Sequence, residues 1–479
     1  MHTSMRSYTR PSIAPKPYLD IKHIRQNPGL YAQNCIDRNY KAQSNHSWRI
    51  LELFEQWKLC QEAGRGLRER SNALRAQLSS PSESSSTTRD SILQKSREVK
   101  GKLGTIEQKE KSLQDEMEYL ALQLPNLSSV QTPTGNVPEV LGYINEPLKL
   151  ESTGTDRICR SHVHIGSELR LMDFAGAATA SGWGWYYLIN EGALLEQALV
   201  QYALNVAMRR GWNVVSPPSI VYSHIAAACG FQPRDQHGEQ QIYSIEQAEK
   251  DKAKPPLVLA GTAEIPLAGM KAGEYLEESE LPLKTVGISR CYRAETGARG
   301  VDTKGLYRVH EFTKVELFAW TLPDLPSEEH FTTNDELHST VVFDEIISIQ
   351  KEILENLGLH CRILEMPSAD LGASAVRKQD IEAFFPSRRA KDEGWGEVTS
   401  ASICTDYQSR RLGTRVRFSK QCRKFDFPHT VNGTALAVPR VIAAILEKHW
   451  SENDKSVTIP EVLRPYMGGV EVIRKRKLS

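Results

Sequence analysis

The clearest regularity in this chain is the spacing of apolar positions in its first quarter. Leu53, Trp57, Cys60, Gly64, Leu67, Ser71, Leu74 and Leu78 follow one another at steps of 4, 3, 4, 3, 4, 3 and 4, the repeat that keeps one seam of a helix turned toward a partner. The stretch "SSPSESSSTT" at 79–88 breaks that pattern, because Pro81 and the serine run favour turn geometry. A second seam passes through Ile92, Val99, Leu103, Ile106, Leu113, Met117, Leu120 and Leu124 and stops at Pro125. Two helices around a reversal are therefore expected over 51–124, forming an antiparallel arm. At ~1.5 Å per residue, about 30 residues give a rod roughly 45 Å long.

Beyond the arm the periodicity changes. Residues 125–150 hold four prolines and little repeat, so the chain divides into an arm domain at 20–128, a linker at 129–150 and a larger domain at 151–479. Residues 186–210 read as a helix with Leu194, Leu195, Ala198, Leu199 and Tyr202 on one face. Short apolar runs such as "PLVLA" and "TVGIS" then alternate with loops, as in an antiparallel sheet flanked by helices. The expected class is α+β.

Composition narrows the range of partners. With 60 Lys and Arg against 59 Asp and Glu over 479 residues, the formal charge is +1, which excludes a globally basic protein but not a basic face. Such a face is present at 65–111, where 11 basic residues stand against 6 acidic ones. Taken alone, it suits either a phosphate backbone or the solvated sides of an oligomerising coiled coil. The eight cysteines (35, 60, 159, 229, 291, 361, 404 and 422) make no C-x-x-C pair, so no structural zinc is expected. No apolar run approaches the ~20 residues of a membrane span. Residues 1–19 carry no acid, while Arg6, Arg10 and Lys16 alternate with hydroxyl residues; the stretch reads as a mitochondrial leader or as the disordered start of a cytoplasmic protein.

The densest chemistry lies at 293–318, "RAETGARGVDTKGLYRVHEFTKVELF". Arginine among apolar neighbours suits phosphate or carboxylate, since its planar fork bonds two oxygens at once. A phenylalanine such as Phe312 suits a planar base. The spacing of Arg293 and Glu295, and of Lys314 and Glu316, puts each pair on one face of a strand. Two strands joined by a loop and holding a nucleotide fit this pattern.

These residues resemble motif 2 of the class II aminoacyl-tRNA synthetases, F-R-x-E, a variable loop, then R-x-H-x-F-x-K-x-E in the seryl branch. "YRAE" and "RVHEFTKVE" follow it, with Tyr292 for the usual Phe. Motif 1 resembles "EGALLEQALVQYALNVAMRRGWNVVSPP", with Pro218 at the signature proline, and motif 3 resembles "NGTALAVPRVIAAILE", with Arg440 at the signature arginine. Ala435 and Pro439 stand where many members carry glycine. Between them "GTAEIPL" is similar to the T-x-E serine loop, and "EVTSASICTDYQSRR" to the seryl-type "EVSSCSNFTDFQARR". The resemblance is strongest over 160–450, and the arm with "DIKHIRQNPG" at 20–29 resembles the family's N-terminal domain.

The resemblance implies a reaction: serine joins ATP as seryl-adenylate, and the seryl group passes to serine tRNA. It implies catalytic roles for Arg293 and Arg440, Arg293 bridging α-phosphate and amino-acid carboxylate and Arg440 gripping the γ-phosphate end. Thr262, Glu264, Arg293, Glu316 and Thr434 would hold L-serine. Arg293, Glu295, Val309, Phe312, Glu397, Val398, Thr399, Ser400 and Arg440 would hold ATP, with Glu397 and Ser400 serving its Mg²⁺. Further implications are a homodimer through 186–218 and binding of serine tRNA by the arm. His310 reads as a structural hydrogen-bonding residue, because this chemistry needs no proton shuttle.

Two rival readings use the same scaffold: a paralogue that adenylates another small amino acid for a different acceptor, and a non-catalytic tRNA-binding homologue. The first would be expected to lose or alter the arm, and the second to lose Arg293 or Arg440; all three are present. "HVHIG" at 162–166 and "RFSKQ" at 417–421 distantly resemble class I signatures, but Ser167 replaces the second signature histidine.

Overall fold

The computed structural model describes residues 14–79, 86–146, 160–231, 241–251, 253–295, 305–324, 338–390, 392–418 and 425–476. These form two compact units, one of residues 19–125 and one of residues 14–18 with 126–476.

In the first unit the two seams become two long helices, α1 (His46–Ser79) and α2 (Ser86–Leu122). Leu53, Gly64 and Leu74 of α1 and Val99, Leu113 and Met117 of α2 are buried. Arg49 pairs with Glu116 at 3.1 Å and Arg68 with Glu110 at 3.1 Å. Numbers that rise along one helix and fall along the other make the pair antiparallel. The step of seven between Ile106 and Leu113 skips one polar seam position, Glu110, which is buried. Its carboxylate fits because Gly64 stands opposite: a Cβ there would come within 3.0 Å of Glu110 Oε1. A charged layer of this kind fixes which levels of the two helices meet. The reversal expected at 79–88 is narrower than its composition suggested, since α2 begins at Ser86, and residues 80–85 lie outside the described residues. The base of the unit is an apolar cluster that joins Ile24 and Cys35 to Ile50, Leu53, Met117 and Leu124.

The second unit is built on a sheet of eight strands among the described residues: β1 (Glu139–Ile144), β2 (Asn213–Val215), β3 (Leu283–Tyr292), β4 (Glu311–Thr321), β5 (Cys361–Glu365), β6 (Arg377–Phe384), β7 (Trp395–Thr405) and β8 (His429–Ala437). Their spatial order is β1-β5-β6-β7-β8-β4-β3-β2. All neighbours are antiparallel except β2 and β3. The helices α3 (Glu191–Arg209), α4 (His338–Asn356) and α5 (Val438–Lys448) share the main apolar core with Val286 of β3 and Val315, Leu317 and Ala319 of β4. On the opposite face of β4, Phe318 and Trp320 enter a second core with Ile265 and Leu267. β4 is therefore covered on both faces, and its apolar residues run on without the gaps of a half-solvated strand.

Part of the expected linker is sheet. β1 pairs with β5 from Glu139↔Glu365 to Ile144↔Cys361, and Ile144 reaches the main core. Pro138 and Pro147 lie just outside this strand; they gave the stretch its linker-like composition, whereas Val140, Tyr143 and Ile144 between them are good strand formers. The end of the expected leader is also folded. Tyr18 donates its backbone N–H to the Arg410 carbonyl at 2.8 Å, and its ring lies 5.4 Å from that of Phe427. Residues 1–13 lie outside the described residues. No described helix is long and apolar enough to cross a membrane.

The doubly buried strand carries a stability expectation. Replacing Phe318, fully buried against Trp320 at 4.7 Å between ring centroids, with alanine should cost about 3–5 kcal/mol. The loss should appear as a lower urea midpoint followed by near-ultraviolet circular dichroism.

Candidate active site

On the even-numbered face of β4 the side chains run Phe312, Lys314, Glu316, Phe318 and Trp320. The same face thus passes from an apolar core to a polar cleft. That cleft is walled by the segments that join β3 to β4, by β4, β7 and β8, and by the first turn of α5. Arg293, Glu295, Val309, Phe312, Glu397, Val398, Thr399, Ser400, Thr434 and Arg440 all line it. Thr262, Glu264 and Glu316 do not; they lie buried behind it.

Arg293 is held from its backbone outward. Its N–H donates to the His310 carbonyl at 2.9 Å, its Nε to the Gly261 carbonyl at 3.4 Å, and its guanidinium lies 5.2 Å from the Phe312 ring centre. His310 in turn bonds the Arg293 carbonyl through Nδ1 at 3.1 Å, with the Tyr243 hydroxyl 2.9 Å from the same nitrogen. Its backbone N–H donates to the Gly184 carbonyl at 3.0 Å. Gly184 has φ +84°, and a Cβ there would meet the His310 ring at 2.3 Å, so only glycine fits. Beyond Arg293, the Glu295 carboxylate accepts from Arg308 at 3.2 Å.

Arg440, on the first turn of α5, faces Arg293 from the other wall. It donates to the Glu397 carbonyl at 3.0 Å and the Tyr307 carbonyl at 3.1 Å, and pairs with the Glu397 carboxylate at 3.1 Å. The Tyr307 ring lies 4.7 Å from its guanidinium. Burial raises the Glu397 pKa, but Arg440 first and Lys378 next outweigh it and bring it down to about 2. Asp380, on neighbouring β6 opposite Ser400, takes the other role: burial lifts it to about 7, against the pull of Lys378 at 2.7 Å and with a further push from Glu397. One carboxylate of this pair is thus kept charged toward the cleft while its neighbour shifts toward the protonated form.

Behind the cleft is a second group of acids. Glu316 pairs with Lys314 at 2.5 Å and accepts from the Thr434 hydroxyl at 3.3 Å; both partners of the ion pair are buried. Glu264 accepts from Gln408 at 2.7 Å, and its backbone N–H donates to Thr262 Oγ1 at 3.3 Å. Burial, followed by the charge of Glu316, raises the Glu264 pKa to about 7. A buried acid near neutrality beside a hydroxyl-bearing pocket suits a small ligand that carries both an amine and a hydroxyl.

Two participants were not singled out from sequence. Tyr307 supplies a carbonyl and a ring to Arg440, and Gln408 steadies Glu264. Lys314 and Glu316, which their alternation put on one strand face, form an interior ion pair. His162 of "HVHIG" has a structural placement: Nδ1 lies 2.9 Å from Glu447 of α5, and Nε2 accepts the Leu306 N–H at 3.1 Å. Among the described residues, no three His, Cys, Asp or Glu side chains form a group able to cage a metal ion.

The chain is similar to known proteins along most of its length. A family model described as tRNA synthetase class II core domain (G, H, P, S and T) matches residues 243–449, and one described as Seryl-tRNA synthetase N-terminal domain matches residues 18–128. Saccharomyces cerevisiae mitochondrial serine–tRNA ligase is 44% identical over 352 residues, 73% of this chain and 72% of that protein. The Schizosaccharomyces pombe mitochondrial serine–tRNA ligase is 39% identical over 94% of this chain and 88% of its own length. The crystal structure of Pyrococcus horikoshii seryl-tRNA synthetase complexed with ATP superposes with a TM-score of 0.80 at 32% identity, covering 96% of this chain and 100% of the other. With two arginines lining one cleft in front of buried acids, a two-helix arm before the sheet, and this likeness along most of the chain, the protein belongs to the seryl-tRNA synthetase family of class II aminoacyl-tRNA synthetases.

Proposed function

We propose that the chain is an ATP-dependent serine–tRNA ligase that forms seryl-adenylate, passes the seryl group to the 3′ end of serine tRNA, and releases diphosphate and AMP. The observation that carries this reading is the convergence of Arg293 and Arg440 on one cleft lined by Thr434, with Glu264 and Glu316 buried behind it. Arg293 is placed to neutralise charge at the α-phosphate and the amino-acid carboxylate, with Phe312 beneath the base and Glu295 and the Val309 backbone at its edge. Arg440 holds the far phosphates. The attacking carboxylate of serine is already ionised, so the rate gain comes from orientation and charge stabilisation rather than from a general base.

The residues present fit Mg²⁺. Glu397 is held ionised and its side chain is 40% exposed, and Ser400 lines the same cleft, so these two would hold the ion together with phosphate oxygens. Bound there, the ion would neutralise phosphate charge.

At the other end of the substrate, Glu264, Glu316, Thr262 and Thr434 receive the amino group and hydroxyl of serine. A pocket that hydrogen-bonds a hydroxyl rejects the analogue lacking it by about 10⁴-fold or more. The basic stretch 65–111 of the arm supports tRNA binding through backbone and shape. Leu194 and Met208 of α3 and Val214 of β2, all exposed apolar side chains, support a homodimer through 186–218. The mitochondrial relatives and the acid-free N-terminus support the mitochondrial matrix as its compartment; with Tyr18 docked on the second unit, a cleaved leader would end before that residue.

Three outcomes test this reading. ATP–pyrophosphate exchange should depend on serine and be far weaker with threonine, alanine or glycine; exchange driven by another amino acid would instead identify a paralogue, and none at all a non-catalytic homologue. Because Glu264 titrates near 7 and must be ionised to pair with an ammonium group, the serine KM should rise as pH falls through about 7, by up to ~10-fold per unit. This acid limb should vanish in Glu264→Gln, whose KM is high at every pH. Deleting 65–111, whose ends face one another as the Arg68–Glu110 pair shows, should leave exchange intact and abolish tRNA charging.

A further inference from the structure

The two central strands part company at the cleft. The ladder between β7 and β8 runs from Ala401↔Gly433 to Thr405↔Thr430 and has no pair on the cleft side of Ala401. Separation there makes room for ligands, but it frees the carbonyls of Ser400 and Thr434 from each other's strand, and buried carbonyls need donors. One side chain meets both. Gln350 of α4, with no exposed surface, donates from Nε2 to the Ser400 carbonyl at 2.8 Å and the Thr434 carbonyl at 2.9 Å. The Thr399 hydroxyl also donates to the Thr434 carbonyl.

Gly433 allows this reach. A Cβ at Gly433 would lie 2.5 Å from Cγ2 of Ile346, one helical turn before Gln350, so the missing side chain lets α4 press against β8 at this level. Among the described residues, the arrangement leaves the Gln350 Oε1 buried without a hydrogen-bond partner. An apolar residue at 350 would avoid that orphan, and burying one is unfavourable. A donor there is explained by what it holds: the residue on one side contributes to the ATP and metal wall, the residue on the other to the serine pocket.

We infer that Gln350 is a positioning residue for amino-acid selection, fixing the gap between Ser400 and Thr434 and hence the fit of the serine side chain beside the adenylate. This rests on the reading of the cleft as a seryl-adenylate site. It acts through backbone it does not share with the ligand, so the consequence is specificity as well as rate.

The test uses the full-length enzyme with Gln350→Met, which keeps the volume and removes both donors, and Gln350→Leu, which keeps an apolar body and likewise donates nothing. Pyrophosphate exchange is measured with serine and with threonine, alongside the urea midpoint. Both variants should show a raised serine KM and a serine-over-threonine preference lowered about tenfold. The preference is a ratio set within each folded molecule, so partial unfolding leaves it readable. A variant with wild-type preference and serine KM would overturn the inference. A wild-type enzyme that exchanges no serine would overturn the underlying reading instead.

Discussion

Burial of charge on a strand covered from both sides is the constraint on which the rest of this site depends. Lys314 and Glu316 sit on β4 four and two residues before Phe318, on the same face, yet both are buried. An isolated ion there would be prohibitively costly, so each must find its partner within the strand or across it. They find each other at 2.5 Å, and Thr434 adds a donor from β8. Once that pair is fixed, Glu264 behind it experiences a neighbouring negative charge and a dry surrounding, and its affinity for a proton rises. The ammonium group of the proposed amino-acid ligand would restore the missing positive charge. The pocket is thus tuned by the same desolvation that would otherwise destabilise the fold.

The cleft's opposite wall solves the same problem with different parts. Glu397 is kept anionic by Arg440 and Lys378, while Asp380 shifts the other way. Two nearby carboxylates pushed in opposite directions divide the labour: one offers charge to the cleft, the other stays quiet beneath the sheet. Arg440 also ties α5 to the segment leading into β4 through the Tyr307 carbonyl, and Glu447 ties the same helix to Leu306 through His162. Two anchors on one helix hold the start of segment 305–310 in register with the arginine it must serve.

Much of this was legible in the sequence, for physical reasons that differ from element to element. The arm could be read because coiled-coil packing forces apolar residues into a fixed step, and the buried seam residues fall on those steps. Glu110 escaped that reading, since a charged residue scores as a gap in an apolar repeat although the glycine facing it makes room. Strand β1 escaped because its flanking prolines dominated the local composition. The two arginines and their acids stood out as charge among bulk. Gln350, Gln408 and Tyr307 did not, because neutral side chains that act on backbone or on another side chain leave no pattern along the chain.

The layer formed by buried Gly64 and Glu110 with the half-exposed Arg68 has a further consequence for the arm. Apolar seams alone tolerate sliding, because leucine against leucine is much the same one heptad along. A slip here would take Glu110 away from Arg68 and would bring it level with Trp57 or Ser71 in place of the glycine that makes room for it. The hairpin is therefore a ruler with one graduation, and what it measures is set by the number of residues beyond that mark.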